Sequence, residues 1–156
     1  MASDAHAHPY DLIQLNPDSE IERISLGVSC CASSWNKAEF LFQERLSLET
    51  MSSGGPPMVL SFGAHPQLAF GNIHAAKQAV SFLRRLAGER RIAAVGEIGF
   101  DYFNQDYRSC AADQEVLFRE QLSIAHEYGL PCVLHLRKAM HKAFEYSKEL
   151  AALPAV

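Results

Sequence analysis

The sequence predicts an α/β fold built on a parallel β-sheet. Short, nearly continuous apolar runs alternate along the chain with segments whose apolar residues recur at helical spacing. Such runs are typical of parallel strands covered on both faces, and helical spacing is typical of amphipathic helices. Polar residues gather where the runs end. In parallel α/β proteins that edge of the sheet carries the active site.

Five segments are predicted to be strands. A weak opening strand lies at 5–8, and longer apolar runs follow at 24–31, 57–65, 91–99 and 130–136. Each run leads into polar or glycine-containing sequence, as strands do where they enter a loop.

Helices are predicted after four of these strands but not between the first two. Apolar stripes lie at 76–86, 117–125 and 140–150, and an earlier stripe consists of Trp35, Ala38, Phe42 and Leu46. Gly129 and then Pro131 end the third helix as a C-cap and a breaker. The resulting order of strands and helices indicates an α/β protein.

The composition is that of one globular domain, with 156 residues, 48% hydrophobic and 21% charged. No apolar run approaches the ~20 residues of a membrane span, and the first residues lack the features of a signal peptide, so we expect a cytoplasmic protein without a membrane partner.

A net charge of -4 argues against a broad basic surface for nucleic acid, and the basic cluster at 84–91 is typical of a solvated helix end. The four cysteines form no CxxC pair, so we expect reduced thiols.

Side chains that bind metals or move protons lie at the ends of four predicted strands. In chain order they are Asp4, His6, His8, His65, Glu97, Asp101, His135 and Arg137. Because the carboxyl ends of parallel strands lie on one side of a sheet or barrel, we expect these side chains to converge.

The pattern predicts a metal site. His6 and His8 are two residues apart and face the same way on a strand, while Glu97, on another strand, could bridge two cations with its two oxygens. His135 is a further candidate ligand. Imidazole and carboxylate ligands suit zinc, manganese or iron, and magnesium less well. A single HxH pair usually lies on the surface without binding a metal. Its coincidence with Glu97 and His135 favours a role for these residues as metal ligands.

The remaining polar residues have other expected roles. His65 and Arg137 suit an anionic substrate, since a guanidinium offers a planar donor fork to phosphate or carboxylate. Asp4 could accept a hydrogen bond that fixes a histidine tautomer. Asp101 could do the same, or could form a loop-capping pair with Tyr102.

These residues lie in motifs that resemble one family. The segments "DAHAH", "GAHP", "GEIGFDY" and "LPCVLHLRKA", with a helix at 114–125, resemble in order the motifs of the TatD family of metal-dependent hydrolases, described as deoxyribonucleases. The resemblance implies a (β/α)8 barrel of the TIM type, two divalent metal ions (zinc, manganese or magnesium), and hydrolysis of phosphodiester bonds in DNA.

The resemblance also implies roles for individual residues. His6 and His8 match the ligands on the first strand, Glu97 matches the bridging, catalytic carboxylate, and His135 matches a ligand of the second metal. His65 and Arg137 match positions near the substrate phosphate. Lys138 departs from the family, which commonly has an acidic residue there.

The family pattern continues beyond the motifs of this chain, with a further histidine ligand and a metal-binding aspartate that is the expected general base. A barrel of this type takes ~250 residues. "LPAV" at 153–156 repeats "LPCV" at 130–133 and could open a sixth strand. We therefore expect residues 1–156 to form one partial barrel domain, truncated after about five strands, with unpaired strand edges and an exposed apolar interior. We expect poor stability alone, self-association, or pairing with a missing C-terminal half.

Three functions remain open on this basis. The first is a metal-dependent phosphodiesterase that acts on DNA. The second is a non-catalytic, truncated remnant that binds a partner. The third is a metal-dependent hydrolase of a small substrate such as a cyclic amide. The net negative charge favours a small substrate over long DNA, whereas Arg137 favours a phosphate.

Overall fold

Five parallel strands form one sheet in residues 2–154, which are the residues that the computed structural model describes. The strands lie side by side in chain order. Their bounds are Ser3–Ala7 (β1), Ser29–Ser34 (β2), Met58–Phe62 (β3), Ala94–Asp101 (β4) and Cys132–Arg137 (β5). The predicted α/β class with a parallel sheet is confirmed.

Helices connect each pair of neighbouring strands. The three longest, at Lys37–Ser52, Ile73–Gly88 and Ala111–Tyr128, cover the outer face of the sheet. In chain order the helices are Pro9–Leu15 (α1), Ser19–Ser25 (α2), Lys37–Ser52 (α3), Ile73–Gly88 (α4), Gln105–Ser109 (α5), Ala111–Tyr128 (α6), His141–Glu145 (α7) and Ser147–Ala151 (α8), with a 3₁₀ turn at Pro66–Ala69.

The connection between β1 and β2 differs from the prediction. It contains α1 and α2, where no helix was expected, and the apolar run at 24–31 begins inside α2 instead of in a strand. Pro9 occupies the first turn of α1, where its fixed φ suits a helix and its missing N–H loses no bond. Both helices are short and, apart from Pro9, contain no buried residue, so their apolar periodicity is too weak to predict them.

Helix α3 was predicted correctly, but its buried face was not. Trp35 and Ala38 are exposed, and the side chains buried against the sheet include Gln43 and Ser47. Gln43 Nε2 donates to the carbonyl of Ser33 at 3.1 Å, and Ser47 Oγ donates to the carbonyl of Met58 at 2.7 Å. Because polar side chains make this contact, apolar periodicity located only part of the buried face, namely Leu46, which packs against the core.

The two faces of the sheet differ in polarity. On the outer face, Phe62 packs edge to face against Phe40 of α3 and Phe82 of α4, with ring centroids 5.9 and 5.1 Å away. On the inner face, Ser33 and Ser61 of neighbouring strands join their hydroxyls at 2.8 Å. The inner face near the strand ends is therefore polar, whereas Val59, further back on the same face of β3, is an exposed apolar side chain, as expected for an open barrel interior.

The sheet is curved like the wall of a barrel. His6 on β1 and Glu97 on β4 are three strands apart, which in a flat sheet would separate them by about 14 Å. Their side-chain atoms Nε2 and Oε2 lie 3.3 Å apart. Curvature therefore brings the carboxyl ends of distant strands together.

The structure bears on two further predictions, the sixth strand and the absence of a membrane span. Leu153 and Pro154 lie in no strand, and Ala155 and Val156 are outside the described residues, so the sixth strand stays a prediction. In the part of the chain that the structure describes, no helix is both long and apolar enough to cross a membrane.

Candidate metal centre

The carboxylate of Glu97 lies at the centre of a cluster of imidazoles. Its Oε2 is 3.3 Å from His6 Nε2 and 3.7 Å from His8 Nε2, and its Oε1 is 2.9 Å from His135 Nδ1. His65 Nε2 completes the cluster, 3.2 Å from His135 Nδ1. The structure thus brings together residues that the sequence places on four different strands or their ends.

Two groups of side chains in this cluster could each hold a metal ion. The first is His6, His8 and Glu97, and the second is His65, Glu97 and His135; within each group the ligand atoms lie within 4.8 Å of one another. Glu97 belongs to both groups. His65, expected at the substrate, therefore lies directly among the candidate ligands.

Two glycines of the "GEIGF" segment let β4 and β5 approach closely. A Cβ on Gly96 would lie 2.5 Å from the Cβ of Val133, and a Cβ on Gly99 would lie 2.3 Å from the carbonyl oxygen of His135. Gly99 also has a φ of +143°, which L side chains rarely adopt. Gly99 pairs with His135 in the sheet, so these glycines set the position of His135 relative to Glu97.

Ser33 orients His6. Its Oγ lies 2.9 Å from His6 Nδ1, which leaves Nε2 directed at Glu97. Asp4 was expected to contact an imidazole, but in the described residues its carboxylate accepts the main-chain N–H of His6 at 3.0 Å instead. Asp4 lies on the exposed start of the edge strand β1, away from the rings, which explains the difference.

Glu39 approaches His8 from the side opposite Glu97. Its side chain is only 1% exposed, and its Oε1 lies 3.9 Å from His8 Nδ1. A third candidate metal group consists of these two residues and Asp11. Interaction with Glu39, and then with Glu97, raises the pKa of His8 to about 10 despite its burial.

Burial and neighbouring charges set the protonation of the other residues. Burial, and then the proximity of His135, lowers the pKa of His65 to about 4, so its imidazole is neutral at pH 7. Burial raises the pKa of Glu97, but hydrogen bonds with His135 and His8 outweigh it and hold this pKa well below its usual value. The cluster therefore presents an ionised carboxylate beside a neutral imidazole.

Asp101 contacts an imidazole and caps a loop, but the loop contact is with Phe103 and not with Tyr102 as expected. Its Oδ2 accepts a hydrogen bond from Gln67 Nε2 at 2.7 Å and lies 3.1 Å from His135 Nε2, while its Oδ1 accepts the main-chain N–H of Phe103 at 2.9 Å. Burial raises the pKa of Asp101, but hydrogen bonds from Gln67 and Phe103 lower it below the usual value. Asp101 thus both supports His135 and caps a loop.

Arg137 lies apart from the cluster. It is exposed, and its guanidinium carbon is 3.7 Å from the ring centroid of Phe103. The ammonium of Lys138 lies 4.6 Å from the same ring. Arg137 is thus at the rim of the site and does not contact the candidate ligands.

A family model described as "TatD related DNase" matches residues 3–155. The chain belongs to the TatD-related DNase family.

Curated relatives of this TatD-family chain match over parts of its length. The 3'-5' ssDNA/RNA exonuclease TatD of Cronobacter sakazakii is 51% identical over 57 residues, which cover 36% of this chain and 21% of the relative. The protein of the same name from Yersinia pseudotuberculosis is 37% identical over 102 residues, or 65% and 37% of the two chains. An uncharacterized metal-dependent hydrolase of Methanocaldococcus jannaschii is 30% identical over 90 residues, or 58% and 34%.

Solved structures confirm the barrel fold of this TatD-family chain. A TatD homologue from Escherichia coli K12 superimposes with a TM-score of 0.75 at 23% identity, over 95% of this chain and 56% of the homologue. A TatD-family hydrolase from Entamoeba histolytica gives 0.68 at 18% identity, over 96% and 54%. The chain therefore spans about half the length of these two proteins.

Three residues that contact the cluster of this TatD-family chain were missed from sequence. Ser33 lies within β2, so its inward direction could have been predicted from the period of two. Glu39 and Gln67 carried no such signal, since each lies in a helix or turn after a strand and reaches the site only through packing.

Proposed function

We propose that this chain supplies a metal centre for the hydrolysis of phosphodiester bonds in nucleic acid. The observation that carries the proposal is the position of the Glu97 carboxylate between His6 and His8 on one side and His135 on the other. The printed names of the relatives, exonucleases that act on ssDNA and RNA, favour a nucleic acid as substrate.

The donor atoms fit divalent cations. In this proposal His6, His8 and Glu97 hold one ion, and Glu97 and His135 hold a second. His65 lies in the second group, where it would contact either that ion or the substrate phosphate. Mixed imidazole and carboxylate ligands favour zinc or manganese over magnesium.

When bound, divalent ions polarise a phosphodiester and lower the pKa of a coordinated water. The protein's own contribution is to keep the ligands aligned. In this proposal His6 directs a ring N–H at Ser33, and His135 directs a ring N–H at Asp101. The other nitrogen of each ring is then free to face Glu97. Such outer contacts typically change metal affinity or activity by about 10- to 100-fold when they are removed.

Glu97 is the proposed catalytic residue because it touches both ligand groups. Its low pKa keeps it ionised across the physiological range, so it can serve as a bridging ligand without first losing a proton. In the same proposal Arg137, at the exposed end of β5, binds a phosphate further along the substrate, since its guanidinium offers a planar donor fork.

A metal and activity analysis of the purified 156-residue chain tests the proposal. We expect bound metal after dialysis against zinc or manganese, and metal-dependent cleavage of an end-labelled single-stranded oligonucleotide. Glu97→Gln should reduce both metal content and cleavage, by about 100-fold or more for cleavage. Glu120→Gln, an exposed change on α6, is the matched control and should leave both unchanged.

The two readouts separate the parts of the proposal. Bound metal without cleavage would contradict hydrolysis by this chain but not the metal centre. Equal metal content and equal cleavage in Glu97→Gln would contradict both.

A further inference from the structure

A second cavity lies between the start of α3 and α4, apart from the candidate metal centre. It has a volume of about 330 Å³, and its lining includes Phe62 of β3, Leu68 of the 3₁₀ turn and Phe82 of α4. None of the candidate metal ligands, all of which belong to the described chain, lines it. Cavities that bind small organic molecules commonly have volumes of about 300 to 1,000 Å³. This cavity is therefore large enough for a small ligand.

The cavity lies beside the middle of the sheet. Phe62 belongs to β3, the central strand of the five, whereas the strands with an open edge are β1 and β5. In the described residues neither edge strand contributes to the lining. A chain that paired with an open edge would join the sheet beyond a strand two positions away from β3. The cavity is therefore formed by this chain alone, whether or not its edges are paired.

The wall that α4 gives to the cavity is aromatic and held in place. The ring of Phe82 meets the ring of Phe62 edge to face, with centroids 5.1 Å apart, and meets the ring of Phe40 in the same way at 5.7 Å. Phe40 and Phe62 are fully buried, so they fix the position of Phe82, which is only partly buried. Little side-chain freedom is lost when a ligand packs on a ring that is already fixed. The wall thus favours a ligand with a flat, apolar body.

Lys37 gives the cavity a positive charge. It is the only charged side chain of the lining in the described chain, and it is exposed at the first residue of α3. Its ammonium forms no ion pair within 4.0 Å with a described carboxylate. An ammonium beside an apolar cavity attracts an anionic group of the ligand, and a single lysine matches a single negative charge. A carboxylate therefore fits this cavity better than a doubly charged phosphate.

We infer that the cavity between α3 and α4 binds a small aromatic monocarboxylic acid, whose ring packs on Phe82 and whose carboxylate meets the ammonium of Lys37. This site goes beyond the proposed function, since it uses none of the candidate metal ligands. Trp35 and Leu68 line both this cavity and the cavity beside the candidate metal centre. The bound acid would therefore be separated from that centre by these side chains, and Trp35 would contact it.

Trp35 makes a direct test available, because it lines the cavity and is the only tryptophan of the chain. Its indole N–H gives one signal in a ¹H–¹⁵N spectrum, and this signal is followed while 2-naphthoate is added. EDTA is present throughout, so that no metal ion holds the carboxylate. We expect a saturable shift of the signal. 2-Naphthamide has the same rings without the charge and should bind about fivefold more weakly, since an exposed ion pair contributes about this much.

Variants identify the cavity, since Lys37 and Ala79 line it and do not line the cavity beside the candidate metal centre. Lys37→Met should weaken naphthoate binding about fivefold and leave naphthamide binding unchanged. Ala79→Leu places a larger side chain in the lining and should weaken binding of both ligands by about tenfold or more. Lys77→Met, an exposed change on α4 outside the lining, is the control and should bind both as the wild type does.

Several results would overturn the inference. The absence of a saturable shift at millimolar naphthoate would show that the cavity does not take such an acid. Equal affinity for naphthoate and naphthamide, or an unchanged naphthoate affinity in Lys37→Met, would remove the carboxylate from the assignment. Lys37→Met changes an exposed residue, so it keeps the test decisive even where Ala79→Leu does not fold. Because EDTA removes metal ions throughout, none of these outcomes depends on the proposed hydrolysis.

Discussion

His8 Nδ1 faces Glu39 Oε1 across 3.9 Å, and neither atom has a hydrogen-bond partner among the described residues. Both atoms are buried, and unpaired buried polar atoms are rare in folded proteins because they have lost their bonds to water. A closer approach of about 1 Å would form a hydrogen bond. Glu39 is therefore placed to hold the ring of His8 with its other nitrogen toward Glu97.

The first prediction concerns this contact. Glu39→Gln should weaken zinc binding by about tenfold, because a carboxylate that holds the far nitrogen of a ligand imidazole orients the ring and raises its basicity. The affinity is measured by zinc titration against a competing chelator. Histidine ¹⁵N chemical shifts should also show a changed tautomer at His8. Glu49→Gln, an exposed change on the same helix, is the control. If Glu39→Gln changed neither the zinc affinity nor the tautomer of His8, Glu39 would have a purely structural role.

The second prediction concerns the close approach of β4 and β5. Gly99→Ala should lower the free energy of unfolding by more than about 2 kcal/mol, since the new methyl group would meet the carbonyl of His135 at 2.3 Å. Gly54→Ala is the matched control, because Gly54 also has a positive φ but no neighbour within 4 Å of its added Cβ. Its effect should be about 1 to 2 kcal/mol. Equal losses in urea unfolding would show that conformation alone, not the strand contact, matters at Gly99.

The third prediction concerns the attachment of α6 to β3. Gln121 Oε1 accepts the main-chain N–H of Ala64 at 2.6 Å, and its Nε2 donates to the Ala64 carbonyl at 3.1 Å. Gln121→Leu leaves both buried groups unpaired and should lower the free energy of unfolding by about 3 kcal/mol. Gln78→Leu, on the exposed face of α4, should change it by less than about 0.5 kcal/mol. A loss no larger than this control would mean that water replaces the glutamine.

The fourth prediction concerns acid stability. Hydrogen bonds from Lys142 and Tyr146 lower the pKa of Glu115 from 4.5 to about 2. Because this pKa is lower in the folded than in the unfolded chain, the stabilisation is complete above pH 4.5 and is lost as the pH falls toward 2. We expect Glu115→Gln to be less stable than the wild type at neutral pH, by about 1 kcal/mol or less for such a partly exposed group.

Unfolding curves between neutral and acid pH measure this effect. The difference between the wild type and Glu115→Gln should shrink as the pH falls. Glu149→Gln, an exposed change on α8, is the control and should show no such narrowing. A difference that stays constant with pH would assign the loss to packing.

The strands were predictable because their signals are local. A parallel strand such as β4 must bury both faces, so it forms an apolar run that a reader of the sequence can find. The polar residues at its end, Glu97 and Asp101, could be assigned to one edge of the sheet because parallel strands share a direction. The same local signals failed for α1 and α2, which bury too little to show a period.

Local chemistry and spacing were enough to select the residues of the cluster, since His6, His8, Glu97 and His135 all leave strand ends on one side of a parallel sheet. Their distances depended on the curvature of the sheet, which brings His6 Nε2 of β1 to within 3.3 Å of Glu97 Oε2 of β4 and which no local period encodes. Packing also decided which side chain meets the far nitrogen of each imidazole. Ser33 reaches the ring of His6, whereas Asp4, only two residues from His6 in sequence, contacts its main chain instead. Sequence spacing determines direction along one element, but only the contacts between elements determine distance.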